Sequence, residues 1–93
     1  MTVAADRLIA IVSSESEFAG RLEVAGRLRD AGLRVRPDGS SRKLGKQLES
    51  AVKAGAQFAV IVGPDPALVI LRDLRKGEQS EVALDELADR VRG

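Results

Sequence analysis

Two short runs, residues 7–12 (Arg-Leu-Ile-Ala-Ile-Val) and 58–62 (Phe-Ala-Val-Ile-Val), constrain the fold more than anything else in the chain. Each is nearly all apolar and rich in β-branched residues, with no polar alternation. Strands written this way are covered on both faces, which is the condition of strands inside an α/β sheet. The stretches between them must therefore supply covering helices.

They do. Phe18, Leu22, Ala25 and Leu28 recur at i, i+4, i+7 and i+10, one apolar stripe of an amphipathic helix. Glu15 and Glu17 suit its positive first turn, and Gly32 suits its stop. Residues 33–36 alternate strictly and read as a half-exposed strand. Pro37-Asp38-Gly39-Ser40 is turn chemistry, after which Ser40 or Ser41 is placed to cap a second helix. Its stripe is Leu44, Leu48, Ala51 and Val52, ending near Gly55.

Beyond residue 62, Gly63-Pro64-Asp65-Pro66 breaks the chain firmly. Residues 67–74 and 79–83 read as two more strands, joined by a hairpin turn at Arg75-Lys76-Gly77-Glu78. Leu84, Leu87, Ala88 and Val91 mark a last helix, with Asp85 and Glu86 in its first turn and Arg90 and Arg92 in its last. The order is β-α-β-α-β-β-β-α. It predicts an α/β fold, a single three-layer domain over residues 1–93 with a five-stranded mixed sheet and three helices.

Composition then narrows the chemistry. With 93 residues, 44% of them hydrophobic but only 2% aromatic, the core is aliphatic, and both Phe18 and Phe58 are assigned to it. There is no Cys and no His. Disulfides, thiolate chemistry, zinc centres and Ser-His-Asp or Cys-His arrangements therefore cannot be built from this chain. The loop at Gly63-Pro64-Asp65-Pro66 lacks the Lys-Ser/Thr pair of a phosphate loop. No cofactor or metal is expected, and the chain alone is not expected to be an enzyme. Residues 1–7 do not read as a signal peptide, and the apolar runs at 58–62 and 67–71 are too short to span a membrane. A cytoplasmic setting is expected.

A net charge of +1 conceals an uneven distribution. Residues 34–53 hold six basic residues (Arg34, Arg36, Arg42, Lys43, Lys46, Lys53) against two acidic ones, whereas the remainder has nine basic against twelve acidic. One region is basic on an otherwise acidic chain.

At these residues a family resemblance appears. Leu28-Arg29-Asp30-Ala31-Gly32-Leu33-Arg34-Val35 resembles the "LR-x-x-G-I-x-V" run of class II aminoacyl-tRNA synthetase anticodon-binding domains. Arg42-Lys43-Leu44-Gly45-Lys46-Gln47-Leu48-Glu49-Ser50-Ala51 resembles their "K-x-L-x-K-Q-L-x-x-A" helix, and Gly55-Ala56-Gln57-Phe58-Ala59-Val60-Ile61-Val62-Gly63 the following strand. Arg72-Asp73-Leu74-Arg75-Lys76-Gly77-Glu78-Gln79 is similar to "K-D-L-x-T-G-E-Q", which leans toward the histidyl branch. Two departures stand out. The loop at residues 63–68 is a few residues shorter than the family's, with its usual acidic pair reduced to Asp65, and the family's catalytic domain is absent.

The resemblance implies binding of a tRNA anticodon arm, histidine tRNA by its branch. The candidate contacts are Arg42, Lys43, Lys46, Gln47 and Arg72. Arg42 and Lys43 fall in the first turn of the second helix, where cations oppose the helix dipole and a bound phosphate would reverse the sign. The alternative is a solvated helix end. Arg72 reads either as a contact to a base edge or as an ion-pair partner of Asp73 or Glu78. Gln47 reads either as a base contact or as a plain helix-surface residue. Arg34 and Arg36 share a strand face and either extend the basic surface or solvate an edge strand. The second functional reading is a stand-alone dimerisation or regulatory module, a homodimer through its edge strands.

Overall fold

The computed structural model describes residues 8–40, 42–65 and 67–92. Residues 1–7, read above as no signal peptide, and Ser41, a candidate cap, lie outside them. The chain runs β1 (Leu8–Ser13), a 3-10 turn (Glu15–Glu17), α1 (Phe18–Asp30), β2 (Arg34–Pro37), α2 (Leu44–Lys53), β3 (Phe58–Val62), β4 (Leu68–Asp73), β5 (Gln79–Ala83) and α3 (Leu84–Arg92). The predicted order β-α-β-α-β-β-β-α is the observed one.

The strands form one five-stranded sheet in the order β2-β1-β3-β4-β5. β1 pairs in parallel with both β2 and β3, placing Ala10 opposite Arg36 on one side and opposite Ala59 on the other. β4 and β5 add antiparallel, with Arg72 opposite Ala59 and Gln79. Alternation along the strands divides their side chains between two faces. Ile9, Ile11, Val60, Val62, Val69, Leu71 and Val82 face α1 and α3, closing the larger core with Val24, Leu28, Leu87 and Val91. Ala10 and Val12 face α2 and meet Ala51 and Ala56, with Leu44, Leu48 and Ile61 packed around them.

Chain direction is set by glycine at two stops. Gly32 and Gly55, just past α1 and α2, take φ of 86° and 83°, the left-handed region that ends a helix cheaply only at glycine. Gly20 serves a different purpose. A Cβ there would lie 2.8 Å from Val62 Cγ1, so its bare backbone lets α1 settle onto β3.

Three expectations about the helices need correction. The buried face of α1 is Arg21, Val24, Ala25 and Leu28. Phe18 and Leu22, assigned to that face, are 39% and 52% exposed. Phe58 does pack against the core, half-buried. On α2, Val52 is exposed and Gln47 takes the buried place beside Ala51. Finally, α2 starts at Leu44 with Lys43 as its N-cap, and no side chain among the described residues caps it, so Ser40 does not have the expected role.

Candidate nucleic-acid interface

The carboxyl ends of the parallel strands β1, β2 and β3 open onto one edge of the sheet, the place where α/β sheets gather their loops and ligands. The turn at residues 38–40 and the basic residues 42 and 43 lie at this edge. The turn is built by polar side chains that the core has swallowed. Among the described residues three polar or charged side chains are fully buried, Ser13, Arg21 and Gln47, and all three meet at the end of β1.

β2 ends where Pro37 stands opposite Ile11, so Ser13 has no β2 residue across from it. Gln47 fills that gap from α2. Its Oε1 accepts the Ser13 N–H at 3.0 Å, and its Nε2 donates to the Ser13 carbonyl at 2.7 Å. The carboxamide thus imitates one more strand residue. Nε2 also donates to the Arg42 carbonyl at 2.7 Å, so both of its protons are spent on main chain. Gln47 is therefore neither a base contact nor a helix-surface residue. Burial and three main-chain hydrogen bonds make it a tie between α2, β1 and the basic turn.

Arg21 does the same from α1. Nε donates to Ser13 Oγ at 2.6 Å, and Nη1 donates to the carbonyls of Asp38 and of Ser40, the latter at 3.1 Å. Asp38 Oδ1 lies 3.8 Å from Nη1, and the Phe18 ring sits against the guanidinium carbon at 4.9 Å from its centroid. Nη2 finds no hydrogen-bond partner among the described residues.

The turn is also folded upon itself. Asp38 N–H donates to Ile11, 2.8 Å away, which continues the ladder by one bond. Asp38 Oδ1 accepts the Ser40 N–H at 2.7 Å and the Ser40 hydroxyl. Burial alone would raise the Asp38 carboxyl. The hydrogen bonds from Ser40 and the charges of Arg21 and Arg42 outweigh it and hold the group below its ordinary value.

Above this base stand the cations. Arg42 and Lys43 are exposed and sit just ahead of α2 rather than in its first turn. Lys46, one turn on, is exposed and forms a 3.3 Å surface pair with Glu49, a contact of small energetic weight. The structure therefore gathers Arg42, Lys43 and Lys46 at the positive end of a helix that carries no acidic residue in its first turn. Between this turn, β2 and α2 lies a groove of about 230 Å³, with Ala10, Val12 and Ala51 on its floor and Arg36 and Arg42 on its rim.

Arg72 is elsewhere. It stands on the α2 face of the sheet in one cross-strand row with Arg36, Ala10, Ala59 and Gln79. That row is three residues, roughly 10 Å at ~3.3 Å per residue, below the end of β1. Its Nη1 donates to Gln79 Oε1 at 2.9 Å on the surface, not to Asp73 or Glu78. The Asp73 carboxylate instead accepts the N–H groups of Lys76 and Arg75, at 3.0 and 2.9 Å, which hold it below its ordinary value and shape the hairpin. Asp65, the remaining acid of the short loop, accepts the Ala67 N–H at 3.0 Å and braces that loop.

Sequence reasoning missed Arg21 and Ser13. A signal was present: Arg21 precedes Val24, Ala25 and Leu28 by three, four and seven residues, the phase of the buried stripe itself.

Comparison with known proteins agrees with this architecture. The Anticodon binding domain family matches residues 7–93. Histidine–tRNA ligase of Trichormus variabilis is 47% identical over 74 residues, covering 76% of this chain and 16% of that protein. The enzyme of Thermotoga petrophila is 41% identical over 88 residues, covering 87% and 21%. The crystal structure of histidyl-tRNA synthetase from Nostoc sp. PCC 7120 superposes with a TM-score of 0.81 at 38% identity, covering 91% of this chain and 21% of that one. The RNA binding domain of threonyl-tRNA synthetase from Cryptosporidium parvum shares the fold, with a TM-score of 0.79 at 21% identity. The chain thus spans about a fifth of the length of the relatives it matches. It belongs to the anticodon binding domain family, in the form carried by histidyl-tRNA synthetases.

Proposed function

We propose that this chain binds the anticodon arm of a tRNA, histidine tRNA in keeping with its relatives, and is not itself catalytic. The observation that carries the reading is the start of α2, which no side chain among the described residues caps and where Arg42, Lys43 and Lys46 stand at the positive end of a helix dipole. That arrangement is unfavourable in water and becomes favourable when a phosphate is present. Arg72, on the open sheet face, is the proposed second contact, directed at a base or a neighbouring phosphate; its bond to Gln79 is exposed and can be exchanged for one to RNA. The chain has no Tyr or Trp on which to stack bases, so the affinity expected of it alone is modest. A cytoplasmic workplace goes with this role.

The test is binding of the purified chain to histidine tRNA and to an unrelated tRNA across a salt series. Selective binding is expected, with a log–log slope of a few units, at about 0.7–0.9 per phosphate neutralised. Joint Arg42→Glu and Lys43→Glu substitution should abolish it, and Arg72→Ala should weaken it and narrow the difference between the two tRNAs. A folded chain that binds neither RNA at low salt would falsify the reading and favour the protein-interaction role.

A further inference from the structure

We infer that Arg21, a residue that need not touch RNA at all, is the positioning residue of this interface, holding the turn at residues 38–40 in the form that receives phosphate. The inference rests on the RNA-binding reading above and adds the device that makes it work.

Arg21 is a poor choice for stability alone. Its guanidinium is fully buried, and taking a charge out of water carries a desolvation penalty that its hydrogen bonds must offset. Its place on α1 faces Ser13 and the turn, and its hydrogen bonds all serve that end of the sheet. The Asp38 and Ser40 carbonyls are drawn inward by Nη1, and the Arg42 carbonyl is drawn inward by Gln47. In a trans peptide the N–H points opposite to the preceding carbonyl. Drawing in the carbonyls of Asp38 and Arg42 therefore turns the N–H groups of Gly39 and Lys43 away from the core.

The charge works in the same direction. A guanidinium sealed beneath the turn is screened little by salt, so it adds a steady positive potential under a surface of mobile cations. Asp38 offsets part of it while closing the turn through Ser40. A fork of fixed donors is needed to serve Ser13 Oγ and two carbonyls together, which lysine's single ammonium cannot do.

The experiment compares Arg21→Met, Arg21→Lys and Ser13→Ala with Lys43→Ala in the chain as it stands. Two readouts are taken: tRNA affinity across a salt series, and hydrogen exchange of individual amides in the free chain. Arg21→Met and Arg21→Lys should each weaken binding by about tenfold, the worth of one charge-assisted hydrogen-bond set, while leaving the salt slope unchanged. Lys43→Ala should instead lower the slope by about 0.7–0.9. In the free chain the Ser40 amide, bonded to Asp38, should lose protection in both Arg21 variants while the Val60 amide in the sheet keeps its own.

Affinity within twofold of the parent, or an unchanged Ser40 amide, overturns the inference. So does a fall in slope equal to that of Lys43→Ala, because it would make Arg21 a direct phosphate contact. If Arg21→Met does not fold, Ser13→Ala decides: it removes only the acceptor of Nε, and the same loss of affinity at unchanged slope is required of it. If the parent chain binds no RNA, the proposed function falls on that result, while the Ser40 amide still shows whether Arg21 orders the turn.

Discussion

The parallel half of the sheet and its antiparallel hairpin solve one problem in opposite ways. Each presents arginine or lysine to solvent. At the end of β1 the presenting turn is fixed from beneath by Arg21 and Gln47, whose partners lie between 5 and 34 residues away in the chain. On the hairpin the side-chain bonds of Arg72 and Asp73 are local and lie at the surface: Arg72 with Gln79, and Asp73 with its own turn. The first is hydrogen-bonded into place with no ligand present. The second has a rigid strand but a side chain free to choose its partner. Phosphates recur identically along RNA and suit a preformed seat, whereas bases differ and suit an adaptable reader.

The largest expected effect tests the rigid side of that contrast. Gln47→Leu keeps the volume but leaves the Ser13 N–H, the Ser13 carbonyl and the Arg42 carbonyl without their partner. A loss of about 2–3 kcal/mol in urea denaturation is expected, the desolvation cost of buried unsatisfied groups. Gln79→Leu, which removes the exposed partner of Arg72, should stay within about 0.5 kcal/mol. Equal effects would dissolve the distinction between the two regions.

Packing beneath the turn gives the next test, within α1 alone. Alanine is worth about 1 kcal/mol over glycine in a helix. Gly26 has open space around its would-be Cβ, so Gly26→Ala should raise stability by roughly that amount. At Gly20 the added methyl meets Val62 Cγ1 at 2.8 Å. Overpacking costs ~1–3 kcal/mol and exceeds the propensity gain, so Gly20→Ala should lower the melting temperature. A rise at both positions would mean that α1 slides freely on β3.

The fold was legible because period and punctuation depend on neighbours in sequence. The runs at 58–62 and 79–83, and the stops at Gly32 and Gly55, lie where apolar spacing and turn residues put them. The basic surface of Arg42, Lys43 and Lys46 was legible for the same reason. Its support was not. Hydropathy placed Phe18 and Leu22 in the core and kept Arg21 and Gln47 out, yet the structure reverses all four. A polar side chain is buried only where partners await it, and those partners, Ser13 on β1 and Asp38, Ser40 and Arg42 ahead of α2, lie outside the helices that carry Arg21 and Gln47. No window along the helix contains them.

Acid offers the finest division between the two regions, since each holds one carboxyl below its ordinary value. A carboxyl depressed in the folded state binds its proton more readily when unfolded. Its contribution is present above the unfolded pKa of about 3.9 and is lost as pH falls through the lower folded value. Both residues therefore predict a loss of stability below about pH 4. They differ in what is lost. Asp38 is largely buried beside Arg21, so its protonation undoes a tie in the rigid turn. Asp73 is half-exposed and shapes only its hairpin, where solvent screens the interaction. Asp38→Asn should flatten the acid limb of stability below about pH 4 more than Asp73→Asn does. Loss of the Ser40 amide's protection should accompany acidification in the parent chain, ahead of global unfolding. If Asp73→Asn flattens the limb more, the hairpin and not the buried turn is the acid-sensitive element, and the contrast between a fixed and an adaptable region must be redrawn.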